Sequence, residues 1–210
     1  MTLKKICVLL VLAGLFCLNG CLSVQNIPSP EVSLYILKNN QIYSGQDKLP
    51  YVLKIKRFVV APEYNVNNIV YQTERYQRQE YPYHQWRTHP GALIANCLQH
   101  AFQKSSLYTA VIGEESDLIP SHLLEGSVDA IYEKDTDKNW FAVLHLTITL
   151  IQRNAENGRW EVLIQESFVT QKEVHKRDPE HVVKAMNEAL GQLSLKIQEK
   201  TYQELSGQAH

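Results

Sequence analysis

Between Leu124 and Phe168 the chain alternates apolar and polar residues three times, and this pattern limits the fold more than any other feature. Leu124, Gly126, Val128, Ala130 and Tyr132 are interleaved with Glu125, Ser127, Asp129 and, beyond them, Glu133. Ala142, Leu144, Leu146, Ile148 and Leu150 are interleaved with Val143, His145, Thr147 and Thr149. Trp160, Val162, Ile164 and Phe168 form a third face after the turn signal Asn157-Gly158. Successive strand residues point to opposite faces, so the spacing predicts an antiparallel meander of three long strands with one apolar face. That face must be covered.

The end of the chain supplies a cover. Val183, Met186, Leu190, Leu193 and Ile197 step by three and four, one apolar stripe of a helix. Asp178 is placed to cap it, Pro179 falls at the first helical position, and Glu180 complements the helix dipole. The helix is predicted to reach Leu205. An earlier helix is predicted from Pro90 to Lys104, with Ile94, Cys97, Leu98, Ala101 and Phe102 on its buried side.

The first half reads as shorter strands. Val32–Leu37 is rich in β-formers, Tyr51–Ala61 looks like one strand buried on much of both faces, and Pro62 ends it. Ile69–Thr73 and Tyr76–Tyr81 suggest a polar hairpin or edge ribbon, with His84-Gln85-Trp86 leading into the helix. Thr109–Ile112 gives one more short strand. The expected fold class is α/β of the α+β-like kind: a mixed β-sheet with an antiparallel C-terminal meander and two main helices packed on it. Whether the helices share one face is left open by the pattern.

At the start of the chain, Lys4 and Lys5 precede an apolar stretch from Ile6 to Leu18, then Gly20 and Cys21. The stretch is shorter than the roughly 20 residues a spanning helix needs and fits a secretory signal. Leu18-Asn19-Gly20-Cys21 reads as a lipobox, directing cleavage before Cys21 and acylation of that cysteine. A plain secretory signal or a short retained anchor is the alternative. On this reading residues 1–20 are the signal peptide, 21–31 a tether containing Pro28 and Pro30, and 32–206 one domain. Two or more acyl chains anchor stably where one does not. An Asp directly after the cysteine favours the inner membrane; Leu22-Ser23 instead points to the outer membrane, facing the periplasm.

Other chemistry is sparse. Cys7 and Cys17 would leave with the signal, so Cys97 is the one remaining thiol and is read as a small core residue. Loss of Lys4 and Lys5 takes the formal charge from −1 to −3, which gives no basis for nucleic-acid binding. No Gly-x-Ser-x-Gly, His-Glu-x-x-His, P-loop or Gly-x-Gly-x-x-Gly is present, so no catalytic residue, metal site or cofactor is assigned. His84 and His89 flank a turn and are read as polar loop residues. Glu125, Asp129 and Glu133 share a strand face, read as its solvated side.

One stretch has an unusual composition. Tyr64, Tyr71, Tyr76, Tyr81, Tyr83 and Trp86 lie among Gln72, Arg75, Gln77, Arg78 and Gln85. Tyr, Trp and Arg are enriched where proteins dock, and cross-strand tyrosine packing on a ribbon is the competing explanation. Tyr64, Tyr71, Arg75, Tyr76, Arg78, Tyr81 and Trp86 are therefore candidate partner-binding residues.

Val59-Val60-Ala61-Pro62 with Tyr64, Ile69-Val70-Tyr71, Trp86 before a helix, Ser106-Leu107-Tyr108-Thr109-Ala110-Val111 after it and Leu124-Glu125-Gly126-Ser127-Val128 later carry a resemblance. Together with the lipobox they resemble the ABC-type transport auxiliary lipoprotein family, which includes PqiC-type intermembrane transport lipoproteins. The resemblance implies a non-catalytic accessory role in moving lipid or other hydrophobic cargo between membranes. It implies partnership with an MCE-domain protein and an ABC transporter or permease, and a ring-forming homo-oligomer for the PqiC type. A structural or assembly lipoprotein partnering an outer-membrane protein is the alternative.

Overall fold

The computed structural model describes residues 30–45, 47–73, 75–136 and 138–208. The reading of Leu18–Cys21 lies outside them. Among the described residues, the strands are β1 (Ser33–Tyr35), β2 (Leu49–Ile55), β3 (Val59–Val60), β4 (Asn68–Gln72), β5 (Gln79–Trp86), β6 (Tyr108–Ile112), β7 (His122–Asp135), β8 (Trp140–Arg153) and β9 (Trp160–Val174). The helices are α1 (Pro90–Ser105) and α2 (Pro179–Ser206).

The predicted meander is the backbone of the fold. β8 pairs antiparallel with β7 on one side and β9 on the other over nearly its full length. The free edge of β7 receives three short parallel strands in turn: β2 beside His122–Leu124, β3 beside Ser127–Val128 and β4 beside Glu133–Lys134. β6 extends the sheet beyond β2, and β5 followed by β1 extends it beyond β4. The result is one mixed sheet, as the α+β-like reading expects.

Both helices cover the same face of this sheet and touch each other. α1 closes over β2, β3, β6 and β7, while α2 lies on β8 and β9. The predicted stripes are buried: Ile94, Cys97, Leu98, Ala101 and Phe102 on α1, and Val183, Met186, Leu190, Leu193 and Ile197 on α2. Full burial of such aliphatic side chains contributes roughly 1.5–3 kcal/mol each. The Asp178 carboxylate accepts the His181 amide at 2.9 Å and caps α2, with Pro179 at its first position. Ser106 ends α1 in the left-handed region at φ 58°, a conformation that usually favours glycine.

Five expectations need correction. The strand expected over Tyr51–Ala61 breaks after Ile55, because the Phe58 amide donates to the Gly91 carbonyl and its ring is buried in the core. The tyrosine hairpin is not at the edge: β4 lies between β5 and β7, and β1 covers the outer side of β5. His84, Gln85 and Trp86 belong to β5 itself. The other two corrections have one cause, the extra residue of a β-bulge, which reverses the facing of everything beyond it.

In β7 the register with β8 shifts between Val128 and Ala130. Ile131 and Glu133 then turn inward and Tyr132 outward, so Glu133 is not on the solvated face with Glu125 and Asp129. In β9 a shift beside Leu150 and Ile151 carries Trp160 and Val162 to the opposite face from Phe168, and both are exposed.

The connection from β1 to β2 crosses α2 as a strap. The Lys38 amide donates to Asn187 Oδ1, Asn39 donates to Ser194, and Gln198 accepts the Tyr43 amide while donating to the Gln41 carbonyl. The Tyr202 hydroxyl both accepts the Asp47 amide at 2.9 Å and donates to the Asp47 carbonyl at 3.0 Å. Where the strap passes α1, the Cys97 thiol donates to the Leu37 carbonyl at 3.4 Å. Burial pushes that thiol's pKa up to about 11, away from the thiolate character reactivity requires.

Candidate interaction surface

The tyrosine-rich stretch divides into residues that hold the fold and residues that remain at the surface. Tyr64 sits in a single 3-10 turn, Pro62–Tyr64, and is buried. Its ring stacks on Tyr132 with centroids 5.6 Å apart, and the Arg78 guanidinium lies 4.8 Å over the Tyr132 ring. Arg78 Nε also donates to the Tyr64 hydroxyl at 3.1 Å. The outward turn of Tyr132 at the β7 bulge makes this stack possible.

On the other face of the hairpin, the Tyr71 and Tyr81 rings meet at 4.7 Å across β4 and β5. The Tyr81 hydroxyl donates to Glu133 Oε2 at 2.7 Å. Glu133 is 1% exposed. Burial raises its carboxyl pKa, opposed by the Tyr81 hydrogen bond and the charge of Arg177, while Asp135 adds to the rise. Burial and the neighbouring carboxylate together raise the Tyr81 hydroxyl pKa as well.

Trp86 is 2% exposed and belongs to the core. Tyr64 and Trp86 therefore present no surface to a partner, and the pattern that singled them out was a packing pattern. Tyr71 and Tyr81 are half-buried in the cross-strand cluster. The turn between β4 and β5 carries what remains exposed: Arg75, Tyr76 and Arg78, with Tyr76 86% exposed beneath the Arg75 guanidinium at 5.4 Å. A flat aromatic face with a neighbouring cation is suited to docking.

A second concave feature was invisible in the sequence. Where β2 breaks from β3, a groove of about 680 Å³ opens on the sheet face away from the helices, beside Lys56, Arg57, His89, Glu125, Thr147 and Gln165. Lys56 pairs with Glu125 at 3.3 Å, and the Glu114 carboxylate accepts the backbone amide of Arg57 at 3.0 Å. Burial and nearby Arg57 lower the pKa of His89, whose Nδ1 accepts the Gly91 amide at the start of α1.

Beside the groove, the hydroxyls of Ser127 and Thr147 both donate to Asp129, and His145 lies 3.5 Å from the same carboxylate. Ser121 contacts His122 at 3.0 Å, but its oxygen is also bonded to the amide and carbonyl of Val52. His84 bonds the Tyr35 hydroxyl while His89 bonds Asn65, so the two histidines are engaged separately. No group of three metal-ligating side chains occurs among the described residues.

No helix among the described residues is long and apolar enough to cross a membrane. Solved structures share the α+β fold of the domain. A Xanthomonas campestris protein of the DUF330 family superposes with a TM-score of 0.74 at 15% identity, over 84% of this chain and 98% of its own. An uncharacterized protein gives 0.62 at 19% identity, over 82% and 99%. A hypothetical protein of Chlamydia trachomatis gives 0.53 at 7% identity, over 74% and 98%. No curated protein matches the sequence significantly. The model of the family described as ABC-type transport auxiliary lipoprotein component matches residues 37–198, and the chain belongs to that family.

Proposed function

We propose that this protein is a lipid-anchored periplasmic accessory component of an ABC/MCE-type intermembrane transport system for lipid or other hydrophobic cargo. The family match over residues 37–198 is the observation that carries this reading. Residues 1–20 are a signal peptide, acyl chains on Cys21 hold the chain in the outer membrane, and residues 21–31 tether the domain 32–206. Its role is non-catalytic: it docks onto an MCE-domain protein or a transporter component and fixes one end of the conduit against the membrane. The exposed Arg75–Tyr76 turn, with Arg78 and the accessible parts of Tyr71 and Tyr81, forms the contact surface.

Affinity capture of the chain from membranes tests this, with Cys21→Ala as the unanchored control. An MCE-domain protein and a permease are expected in the captured material. Arg75→Ala with Tyr76→Ala is expected to reduce their recovery while leaving thermal stability unchanged. Capture of an outer-membrane barrel protein and no transporter component would overturn the transport reading in favour of an assembly role.

A further inference from the structure

The edge of the sheet at β1 carries an apolar face that no other part of the described chain covers. Val32, Leu34 and Ile36 are 44%, 56% and 45% exposed, whereas the alternating Ser33, Tyr35 and Leu37 turn inward. Leu34 is registered beside Gln85 in the parallel β1–β5 pair, which places Tyr83, two residues earlier on β5 and 45% exposed, on the same face. Lys38 continues the outward row on one strand and Arg87 on the other, and both are exposed.

This face lies where the tether joins the domain. Val32 is eleven residues beyond Cys21. Such a segment spans at most about 40 Å. The other exposed apolar cluster, Ile119, Trp160 and Val162, lies at the opposite end of the meander, beside the His122–Arg153 end of β7 and β8. The β1 face is the one the segment from Cys21 joins directly. An aliphatic surface with a tyrosine and flanking cations matches the boundary between acyl chains and lipid phosphates, where amphipathic aromatic rings and basic side chains settle.

We infer that the Val32–Leu34–Ile36–Tyr83 face rests on the surface of the bilayer that holds the anchor, so that the domain lies against the membrane along β1. The inference rests on acylation of Cys21. The row on β1 lies on a face of the sheet, while the Arg75–Tyr76 turn lies at the β4–β5 connection and stays open to a protein partner.

The test uses the acylated chain reconstituted in vesicles of phosphatidylethanolamine with phosphatidylglycerol as the minor lipid. A fluorophore is placed on Leu34→Cys, on Tyr83→Cys, or on Glu188→Cys at the exposed side of α2, and nitroxide-labelled lipids are added. Cys97 is buried and does not compete for label. Quenching at Leu34→Cys and Tyr83→Cys is expected to exceed that at Glu188→Cys about threefold or more, as for an apolar face seated at the headgroup boundary. The Tyr83→Cys site reports the same face from β5 if labelling disturbs the short β1. Equal quenching at all three sites, with acylation of Cys21 confirmed by mass spectrometry, overturns the inference alone. An unacylated Cys21 removes the lipoprotein reading and this inference with it.

Discussion

A methyl group added at Gly126 would stand 2.2 Å from the Thr147 carbonyl oxygen and 2.9 Å from the Phe58 ring. Ordinary contacts to carbon lie near 3.3–4.0 Å, so about 1 Å of movement is required on two sides. Thr147 belongs to β8, which is hydrogen-bonded on both edges and has little freedom to shift. The Phe58 ring must yield instead, yet its carbonyl is pressed against Gly91, where an added methyl would meet the oxygen at 2.0 Å. Phe58 is thus seated between two glycines, one on β7 and one at the start of α1, and it holds the β2–β3 break in place.

Gly126→Ala is expected to cost about 3 kcal/mol, the upper end of the overpacking range. For a domain of this size that lowers Tm by about 6–12 °C. Urea and thermal unfolding measure it, and a Phe58→Leu background tests the cause. If the two residues compete for one space, the double variant is less destabilised than the sum by more than about 0.5 kcal/mol. A loss below about 0.5 kcal/mol for Gly126→Ala, or strict additivity with Phe58→Leu, would refute the shared seat.

Three further outcomes are expected. Because burial raises the Glu133 pKa above its ordinary 4.5, the folded chain holds that proton more tightly than the unfolded one. Its contribution to stability therefore falls as pH rises from 4.5 through the folded-state value. Glu133→Gln still accepts the Tyr81 hydroxyl, so its urea midpoint should exceed that of the natural chain at neutral pH and converge with it toward pH 4.5; a pH-independent loss would count against this. Tyr202→Phe removes both hydrogen bonds to the backbone of exposed Asp47 and should cost about 0.5–1.5 kcal/mol in urea unfolding; an unchanged midpoint would count against this. Cys97 should react with a thiol reagent only after denaturation, and rapid labelling of the native domain would contradict its burial.

The helices and the three-strand meander were legible in the sequence because each repeats one period over many residues, and capping by Asp178 and Pro179 marks a boundary locally. The two bulges were not legible. Each inserts a single residue into a period of two, so Asp129 looked like one more polar position and Glu133 like its neighbour. The same omission placed Trp160 and Val162 in the core. The parallel contacts of β2, β3 and β4 along β7 depend on partners far away in the chain, which no local pattern specifies. At the candidate surface, composition located the right hairpin but could not separate Tyr64 and Trp86, which fill the core, from Arg75 and Tyr76, which do not. That distinction depends on the outward turn of Tyr132 and on β1 lying beside β5.

The strap across α2 sets the order in which the domain can complete itself. Its hydrogen bonds join residues 149–157 positions apart, from Lys38 to Asn187 and from Gln41 to Gln198. Contacts between such distant parts of a chain form late, because the ends of a long loop must first be brought together. A chain made from its N-terminus delivers β1 and the strap first and α2 last. The strap therefore waits, with its backbone groups open, for the final helix. Loss of α2 by truncation would then free the strap as well as uncover β8 and β9, so the last helix acts as the latch for the strap.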